Sequence, residues 1–363
     1  MILWIAPALN HYKIKQLNKL SLKVKGLRVI CGVLDSSEGH IISKDEKISF
    51  EYIAVNSTYE KFSSSLRVYK LIFQELKKSR LEAVLMPFEK KHVSIIIFLY
   101  LLRFFFKYRL VSLNHHYYDK SPSQLANIIE KNTARFFYKL YDIVIFYTEQ
   151  GREYSIANKM IASKRAFFAN NTIDVEEIFM NTHEPLPEPE NNILCISRII
   201  PEKKIDLLIE YFLGIKRFIE NCKLFVIGEG SQLNKYKKLT EEIKDIYWLG
   251  GIINEEEISR YMKLIKIVFV PGHSGLSIVH SFAYRKPYIT FASRTHPPEV
   301  AYIKDNVNGF LLGDNKEKNI EKIIRLLRDD HCYRNMSLAA YDTAKKLTLE
   351  NWAENIVNSI YHR

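Results

Sequence analysis

The chain has 363 residues, of which 47% are hydrophobic and 26% are charged, and this composition excludes a disordered or low-complexity protein. Its length predicts two domains, because a single hydrophobic core rarely grows beyond about 250 residues. Lys and Arg exceed Asp and Glu by 12, which favours an anionic partner such as nucleic acid, an anionic membrane surface or a phosphorylated substrate.

The first element is an apolar run, MILWIAPALNHYKIK, that has neither a basic leader nor a cleavage site. We therefore expect a strand there and no signal peptide. The most lipid-like stretch runs from Val93 to Arg109, and its uncharged part is shorter than the roughly 20 residues of a membrane span. That stretch predicts a helix buried against a sheet or, alternatively, a helix that faces an anionic membrane. The four cysteines are scattered, which fits a reducing compartment better than a disulfide framework or a metal site.

Short apolar strands alternate with helical patterns along the whole chain. The strands of the first half read ILWIA, LRVICGVL, EAVLMP, RLVSLNHH and IVIFYT, and those of the second half read NNILCIS, KLFVIGEG, IYWLG, KIVFVPG and PYITFA. The clearest helical patterns are Tyr12–Lys25, Ser64–Lys78, Ser94–Phe106, Thr133–Tyr141 and Leu349–Tyr361. Strands that alternate with helices in this way predict parallel sheets with helices on both faces.

A proline-rich segment separates the two series of strands. It reads NTHEPLPEPENN, from Asn181 to Asn192, and it is the predicted linker. The fold class is therefore α/β, with two doubly wound, Rossmann-like domains and ligands expected in a cleft outside the carboxyl ends of the strands. We place the first domain at 1–183, the second at 184–347, and a C-terminal helix that returns to the first domain at 348–363.

In the first domain, RLVSLNHHYYDKSP places His115 and His116 at the end of a strand. Ligands bind near the carboxyl ends of strands in doubly wound sheets, so this edge is expected to face the cleft. Either histidine is therefore a candidate ligand-binding residue. The alternative is that both only form hydrogen bonds within the local turn.

In the second domain, CISRIIPEKKIDLLIEYF places Arg198 and Lys203 in the loop between a strand and a helix. Arginine offers a forked donor and lysine a mobile point charge, a combination suited to a diphosphate. The alternative is a pair of solvated loop cations.

Two further loops of the second domain have the same strand-to-helix form. LFVIGEGSQLNKYKKL carries Gly228 and Gly230 at its turn, where glycine lets a ligand approach the backbone. VFVPGHSGLSIVHSFAYRKPYIT carries Gly275, Leu276 and Ser277 just before or at the start of a helix, where backbone N–H groups favour phosphate oxygens. Taken singly, each loop also fits a plain strand-to-helix turn.

Together, the order and spacing of these loops resemble the donor-binding domain of family-4 glycosyltransferases. The resemblance implies the GT-B fold, in which two such domains face each other across a cleft. The resemblance covers Asn192 to Leu312 and includes IYWLGGIINEEEISRYMKLIKIVFVPG and HPPEVAYIKDNVNGFLL, besides the loops quoted above. DIVIFYTEQGREY and NNTIDVEEI extend it into the first half. By this resemblance Gly250, Gly251 and Glu299 join the expected donor-binding residues. Arg198 and Lys203 are also expected to be catalytic, and the family's histidine near the reacting centre corresponds to either His115 or His116.

One departure concerns the two glutamates that this family carries eight positions apart around the last of these loops. Aligning Gly275 and Leu276 with the family's Gly-Leu puts Gly272 and His280 at those positions. A neutral imidazole still accepts a hydrogen bond from a ribose hydroxyl, and a protonated one attracts a diphosphate. His280 is therefore kept among the donor-binding residues, and a packing role is its alternative.

The resemblance implies transfer of a sugar from a nucleoside-diphosphate sugar to an acceptor hydroxyl with retention at the anomeric carbon. It implies a glycan or lipid-linked glycan acceptor in surface polysaccharide assembly. It also implies a cytoplasmic location, at the inner face of the plasma membrane. The basic charge of the chain makes an anionic membrane surface a further expected partner. No cofactor besides the donor, no metal and no nucleic acid are expected. The alternatives are an inactive sugar-nucleotide-binding or partner subunit, because the glutamates are missing, and, less favoured, a nucleotide-sugar epimerase or a nucleic-acid binder.

Overall fold

The computed structural model of the protein describes residues 1–7, 9, 11–33, 47–115, 123–182 and 189–362. The chain divides into two compact units. Unit 1 comprises Met1–Asn171 together with Leu349–Arg363, and unit 2 comprises Thr172–Thr348.

Unit 1 is built on a seven-stranded parallel sheet with the order β3-β2-β1-β4-β5-β6-β7. Its strands are β1 (Ile2–Ala6), β2 (Leu27–Val33), β3 (Glu51–Thr58), β4 (Ala83–Leu85), β5 (Arg109–Asn114), β6 (Ile143–Phe146) and β7 (Ala166–Phe168). Its helices are α1 (His11–Ser21), α2 (Leu66–Lys78), α3 (Val93–Leu102), α4 (Gln124–Tyr138), α5 (Glu149–Ala157) and the C-terminal α13 (Leu349–Tyr361). The central strands are fully buried and almost entirely apolar, as expected for parallel strands covered on both faces.

The C-terminal helix α13 packs on α1 within unit 1. Trp352 of α13 is buried with its ring 6.3 Å from that of Trp4, and Lys19 of α1 forms an ion pair of 2.7 Å with Glu350. At the end of the helix, Arg109 donates hydrogen bonds of 2.7 Å to the carbonyl oxygens of Ile360 and His362. The last helix of the chain is thereby part of the first unit's core.

Helix α3 is apolar on both its inner and its outer side. Ile95, Ile96 and Leu99 are buried in the core of unit 1, whereas Ile97 and Leu101 on the outer side are about half exposed. The expectation of a helix buried against the sheet is therefore wrong for one of its two sides. Within the described part of the chain, no helix is long and apolar enough to cross a membrane.

Unit 2 is built on a six-stranded parallel sheet with the order β10-β9-β8-β11-β12-β13. Its strands are β8 (Asn192–Ile196), β9 (Leu224–Ile227), β10 (Ile246–Gly250), β11 (Ile265–Phe269), β12 (Tyr288–Phe291) and β13 (Gly309–Leu312). Its helices are α6 (Val175–Asn181), α7 (Ile205–Lys216), α8 (Leu233–Leu239), α9 (Glu255–Met262), α10 (Ser277–Ala283), α11 (Lys316–Arg328) and α12 (Asp330–Ala344). Two Rossmann-like parallel-sheet units are thus confirmed.

The border between the units lies at Asn171, before the proline-rich segment and not at residue 183. Helix α6 belongs to unit 2, because its Val175 and Ile178 are buried in the core of that unit. Phe179 of α6 also makes an edge-to-face ring contact with Tyr341 of α12. Residues 183–188 of the predicted linker lie outside the described residues.

Candidate donor-binding site

The predicted donor loops of unit 2 meet at one edge of its sheet. The carboxyl ends of parallel strands lie at the same edge, and the chain reverses its direction of strand addition between β8 and β11. The loop after β8 holds Arg198 and Lys203, and the loop after β11 holds Gly275 and Leu276. The two loops are neighbours because β8 and β11 are paired.

Backbone hydrogen bonds join these two loops directly. Gly272 N–H donates to the carbonyl oxygen of Lys203 at 3.1 Å, and His273 N–H donates to that of Glu202 at 2.9 Å. A Cβ atom at Gly272 would lie 2.0 Å from the oxygen of Glu202, so no side chain fits there without moving the backbone. The glycine at this position is thus required by the joining of the loops, and a glutamate cannot occupy it in this backbone.

Lys203 is held between the two loops. Its ammonium group donates a hydrogen bond to the carbonyl oxygen of His273. The pKa of Lys203 is lowered to about 8, chiefly by burial and also by Arg198, whereas Cys195, Glu202 and Glu299 act in the opposite direction. A partly buried ammonium with a depressed pKa is stabilised by any anion that binds next to it.

Glu299 brings a carboxylate to the same loop edge. It lies in the turn Pro298–Tyr302 after β12, is 3% exposed, and places Oε2 3.6 Å from the point where a side chain of Gly275 would begin. The structure therefore places a buried carboxylate beside the Gly275 loop, although Gly272 carries none.

The interior of the β11 loop is fixed by a buried polar network. Ser274 N–H donates to Nδ1 of His296 at 3.1 Å, and its hydroxyl donates to Oγ1 of Thr290 at 3.1 Å. Nδ1 is therefore the acceptor, and Nε2–H of His296 donates to the carbonyl oxygen of Phe291 at 2.7 Å. Burial lowers the pKa of His296, which keeps the imidazole neutral and the network intact.

The loop after β9 packs against the loop after β8. Gly228 has a φ of +150°, and a Cβ atom there would lie 1.8 Å from the carbonyl oxygen of Ser197. Gly230 approaches the backbone of Ile199 in the same way. Both glycines are needed for this contact, so their presence alone does not indicate a ligand.

Gly250 is the last residue of β10, Gly251 follows it, and both lie next to the β9 loop. Gly251 N–H donates to Oε1 of Glu229 at 3.0 Å, and Gly228 N–H donates to the carbonyl oxygen of Gly250 at 2.8 Å. Four successive loops at this edge are thereby connected by backbone contacts.

His280 lies one turn inside α10 and is 8% exposed. Its Nε2 is 2.8 Å from Oε1 of Glu255 at the start of α9, and the same carboxylate oxygen accepts a hydrogen bond of 2.6 Å from Tyr284. Burial, and then Glu255, raise the pKa of the Tyr284 phenol, so it remains a donor. Ser277, at the start of α10, shares a hydrogen bond of 2.8 Å with the Tyr288 hydroxyl.

The predicted histidines of the first domain belong to unit 1. His115 directly follows β5, is exposed, and lies with its ring 4.5 Å from that of Tyr147. His116 lies outside the described residues.

Sequence reasoning missed three residues that define this edge, namely Glu255, Tyr284 and His296. His296 begins the segment HPPE, and its place before Glu299 was an available signal. Glu255 and His280 are 25 positions apart, so only the packing of α9 against α10 brings them together.

Comparison with known proteins finds a family that this part of the chain resembles. Residues 178–343 match the family described as "Glycosyl transferases group 1". The poly(ribitol-phosphate) alpha-N-acetylglucosaminyltransferase of Staphylococcus aureus (strain COL) is 27% identical over 171 residues, which are 44% of this chain and 34% of that protein. The chain thus spans about a third of the length of that relative.

Solved structures extend the likeness to the whole chain. A glycosyltransferase from Rickettsia africae ESF-5 has a TM-score of 0.72 and 20% identity, over 100% of this chain and 98% of that one. The pneumococcal O-GlcNAc transferase GtfA, solved in complex with UDP and GlcNAc, has a TM-score of 0.70 and 11% identity, over 100% and 99% of the two chains. The chain therefore has the GT-B fold, and its residues 178–343 are similar to the glycosyl transferases group 1 family.

Proposed function

We propose that the protein transfers a sugar from a nucleoside-diphosphate sugar to an acceptor hydroxyl, with retention and without a metal ion. The observation that carries this proposal is the joining of the β8 and β11 loops, which holds the Lys203 ammonium at the strand edge of the sheet. Negative charge grows on the diphosphate as it leaves, and a preorganised cation stabilises that charge.

The electrostatics of Lys203 support a diphosphate over a neutral ligand. Its depressed pKa means that the surrounding groups do not fully compensate the partly buried charge. A diphosphate would supply the missing compensation and raise that pKa. Arg198, on the same loop, offers a second and always charged donor.

For the acceptor we propose a glycan or lipid-linked glycan of surface polysaccharide assembly, met at an anionic membrane surface. The Staphylococcus aureus relative is named for poly(ribitol-phosphate), a polyanionic acceptor. The surplus of 12 basic residues in this chain favours an acceptor or a surface of negative charge.

The test is a screen of nucleoside-diphosphate sugars for thermal stabilisation and then for sugar release, with and without excess chelator. Selective stabilisation by one donor, and turnover that survives the chelator, is the expected result. Turnover that disappears in chelator and returns with magnesium would overturn the metal-independent part. No stabilisation by any donor would overturn the proposal.

A second candidate is a chain that binds the sugar nucleotide without turning it over. The exclusion of any side chain at Gly272 favours it, because the usual glutamate cannot be present there. Stabilisation by a donor without product, in the presence of every acceptor tried, would favour this candidate over transfer.

A further inference from the structure

The surplus of basic over acidic residues is confined to one unit. Unit 1 contains 28 lysines and arginines against 16 aspartates and glutamates, whereas unit 2 contains 25 of each. The surplus of 12 is therefore entirely in unit 1, and unit 2, which carries the candidate donor site, is neutral overall. A cationic donor site does not account for this charge.

Unit 1 also exposes apolar side chains along the outer side of α3 and the turn that follows it. No charged residue occurs from Val93 to Leu102. Ile97 and Leu101 are one turn apart on the outer side, and Phe104 and Phe105 continue the stripe at 66% and 80% exposed. A helix that borders on water normally carries polar residues on its outer side.

The neighbouring helix α2 continues this surface. Phe73 of α2 contacts Phe106 edge to face, with ring centroids 5.8 Å apart, and Tyr69 contacts Phe98 in the same way at 5.1 Å. Lys77 lies 4.7 Å above the Phe73 ring. We call this surface the α2–α3 outer face; its exposed apolar members are Leu66, Phe73, Ile97, Leu101, Phe104 and Phe105.

Exposed cations border the outer face. Arg67, Lys70 and Lys77 lie on α2, and Lys107 follows the α3 turn. Aromatic side chains beside lysines and arginines suit the headgroup region of an anionic leaflet, where the rings reach the acyl boundary and the cations contact the lipid phosphates. A second copy of the chain would bring the same cations to the interface, which repel each other.

We propose that the α2–α3 outer face of unit 1 docks on an anionic lipid bilayer. This docking rests on the proposed function, because a lipid-linked acceptor is the reason for the chain to meet a membrane. The binding itself is measured without any donor or acceptor, so a failure of sugar transfer and a failure of docking are separate results.

The test is co-sedimentation of the full chain with vesicles of equal parts phosphatidylglycerol and phosphatidylcholine, and with vesicles of phosphatidylcholine alone. We expect binding to the anionic vesicles that weakens with salt, and at least tenfold weaker binding to the neutral ones. Phe104→Ser combined with Phe105→Ser is expected to lower the affinity about tenfold or more. Lys70→Glu combined with Lys107→Glu is expected to lower it by about fivefold or more for each charge.

Matched controls come from the neutral unit. Phe218→Ser replaces a ring that is 60% exposed in unit 2, and Lys237→Glu reverses an exposed charge there. Both controls are expected to bind vesicles like the wild type. Equal binding by the unit 1 variants and the wild type, or no binding of the wild type, would overturn the proposal. Self-association of the wild type that the Phe104→Ser and Phe105→Ser pair abolishes, without vesicle binding, would assign the face to a second copy instead.

Discussion

His280 Nε2 lies 2.8 Å from Oε1 of Glu255, which joins the first turn of α9 to α10 beside the β11 loop. The resemblance to family-4 enzymes places a glutamate at residue 280. Here that position is His280, which forms a hydrogen bond with Glu255 of another helix. The carboxylate is not lost from this edge of unit 2. It is supplied by a residue 25 positions earlier in the chain.

The first prediction is that His280→Ala weakens nucleoside-diphosphate binding by about 1–2 kcal/mol, the scale of one hydrogen bond to a charged group. Tyr284→Phe is the matched control, because it removes the other hydrogen bond to the same carboxylate oxygen and leaves the imidazole in place. Calorimetric titration of both variants measures the difference. If both variants bind like the wild type, the His280–Glu255 pair is a packing contact only.

The second prediction concerns the cations of the β8 loop. Lys203→Ala and Arg198→Ala are each expected to lower kcat by on the order of a hundredfold, the usual cost of removing one preorganised donor from a developing charge. Lys204→Ala, an exposed cation next to Lys203, is the control and should leave kcat within a factor of about two. Unchanged kcat in both site variants would refute the diphosphate assignment.

The third prediction is a pH dependence set by Lys203. Its pKa in the ligand-free protein is about 8, so the ammonium is present below that pH and is progressively lost above it. Nucleoside-diphosphate affinity should therefore fall as the pH rises through about 8. Lys203→Arg keeps its charge throughout this range and should flatten the profile. A wild-type profile that is already flat from pH 7 to about 9 would contradict the prediction.

Strands β8 to β12 of unit 2 could be predicted from the sequence because each is a short, mostly apolar run followed by a glycine-bearing or basic loop. Strand β13 was not among the predicted strands. Helix α4 could not be delimited in this way. Its pattern predicts a start at Thr133, whereas the helix begins at Gln124, because the exposed apolar residues Leu125 and Ile128 disguise the amphipathic period. The exposed side of α3 could not be predicted for a related reason, because the sequence of an all-apolar helix does not indicate which side is buried.

Only the part of the site that depends on which strands are neighbours could be predicted from the sequence. Arg198, Lys203 and the Gly275 loop follow from parallel strands that end at one edge. The steric demand at Gly272 depends on the distance to the Glu202 carbonyl, and the Glu255 contact depends on how α9 packs. Neither distance is encoded in local periodicity.

The fourth prediction tests why residue 272 is glycine. Gly272→Ala would place Cβ 2.0 Å from the carbonyl oxygen of Glu202, so the joined loops must separate. We expect a loss of about 1–3 kcal/mol in the free energy of unfolding, together with weaker nucleotide binding. Gly313→Ala is the matched control, since nothing lies within 4 Å of its added Cβ, and it should stay within about 0.5 kcal/mol. Equal stability of the two variants in urea titrations would show that the loops tolerate the side chain.

The last prediction concerns Lys286, which is 6% exposed between α10 and β12. Burial lowers its pKa to about 7 from the ordinary value of 10.5. Between these two values the unfolded chain binds more protons at this residue than the folded chain, so its contribution makes the free energy of unfolding rise with pH. Below pH 7 folding bears the full cost of this residue, because the amine must either be buried as a cation or lose its proton.

Lys286→Met keeps the volume and removes the amine. It should therefore stabilise the protein by a few kcal/mol at about pH 6, and the gain should shrink towards about pH 10. Lys263→Met, at an exposed position of the same unit, is the control and should change the stability little at either pH. Urea titrations at both pH values measure the two gains. A gain for Lys286→Met that does not depend on pH would show that the lysine side chain reaches solvent in the folded protein.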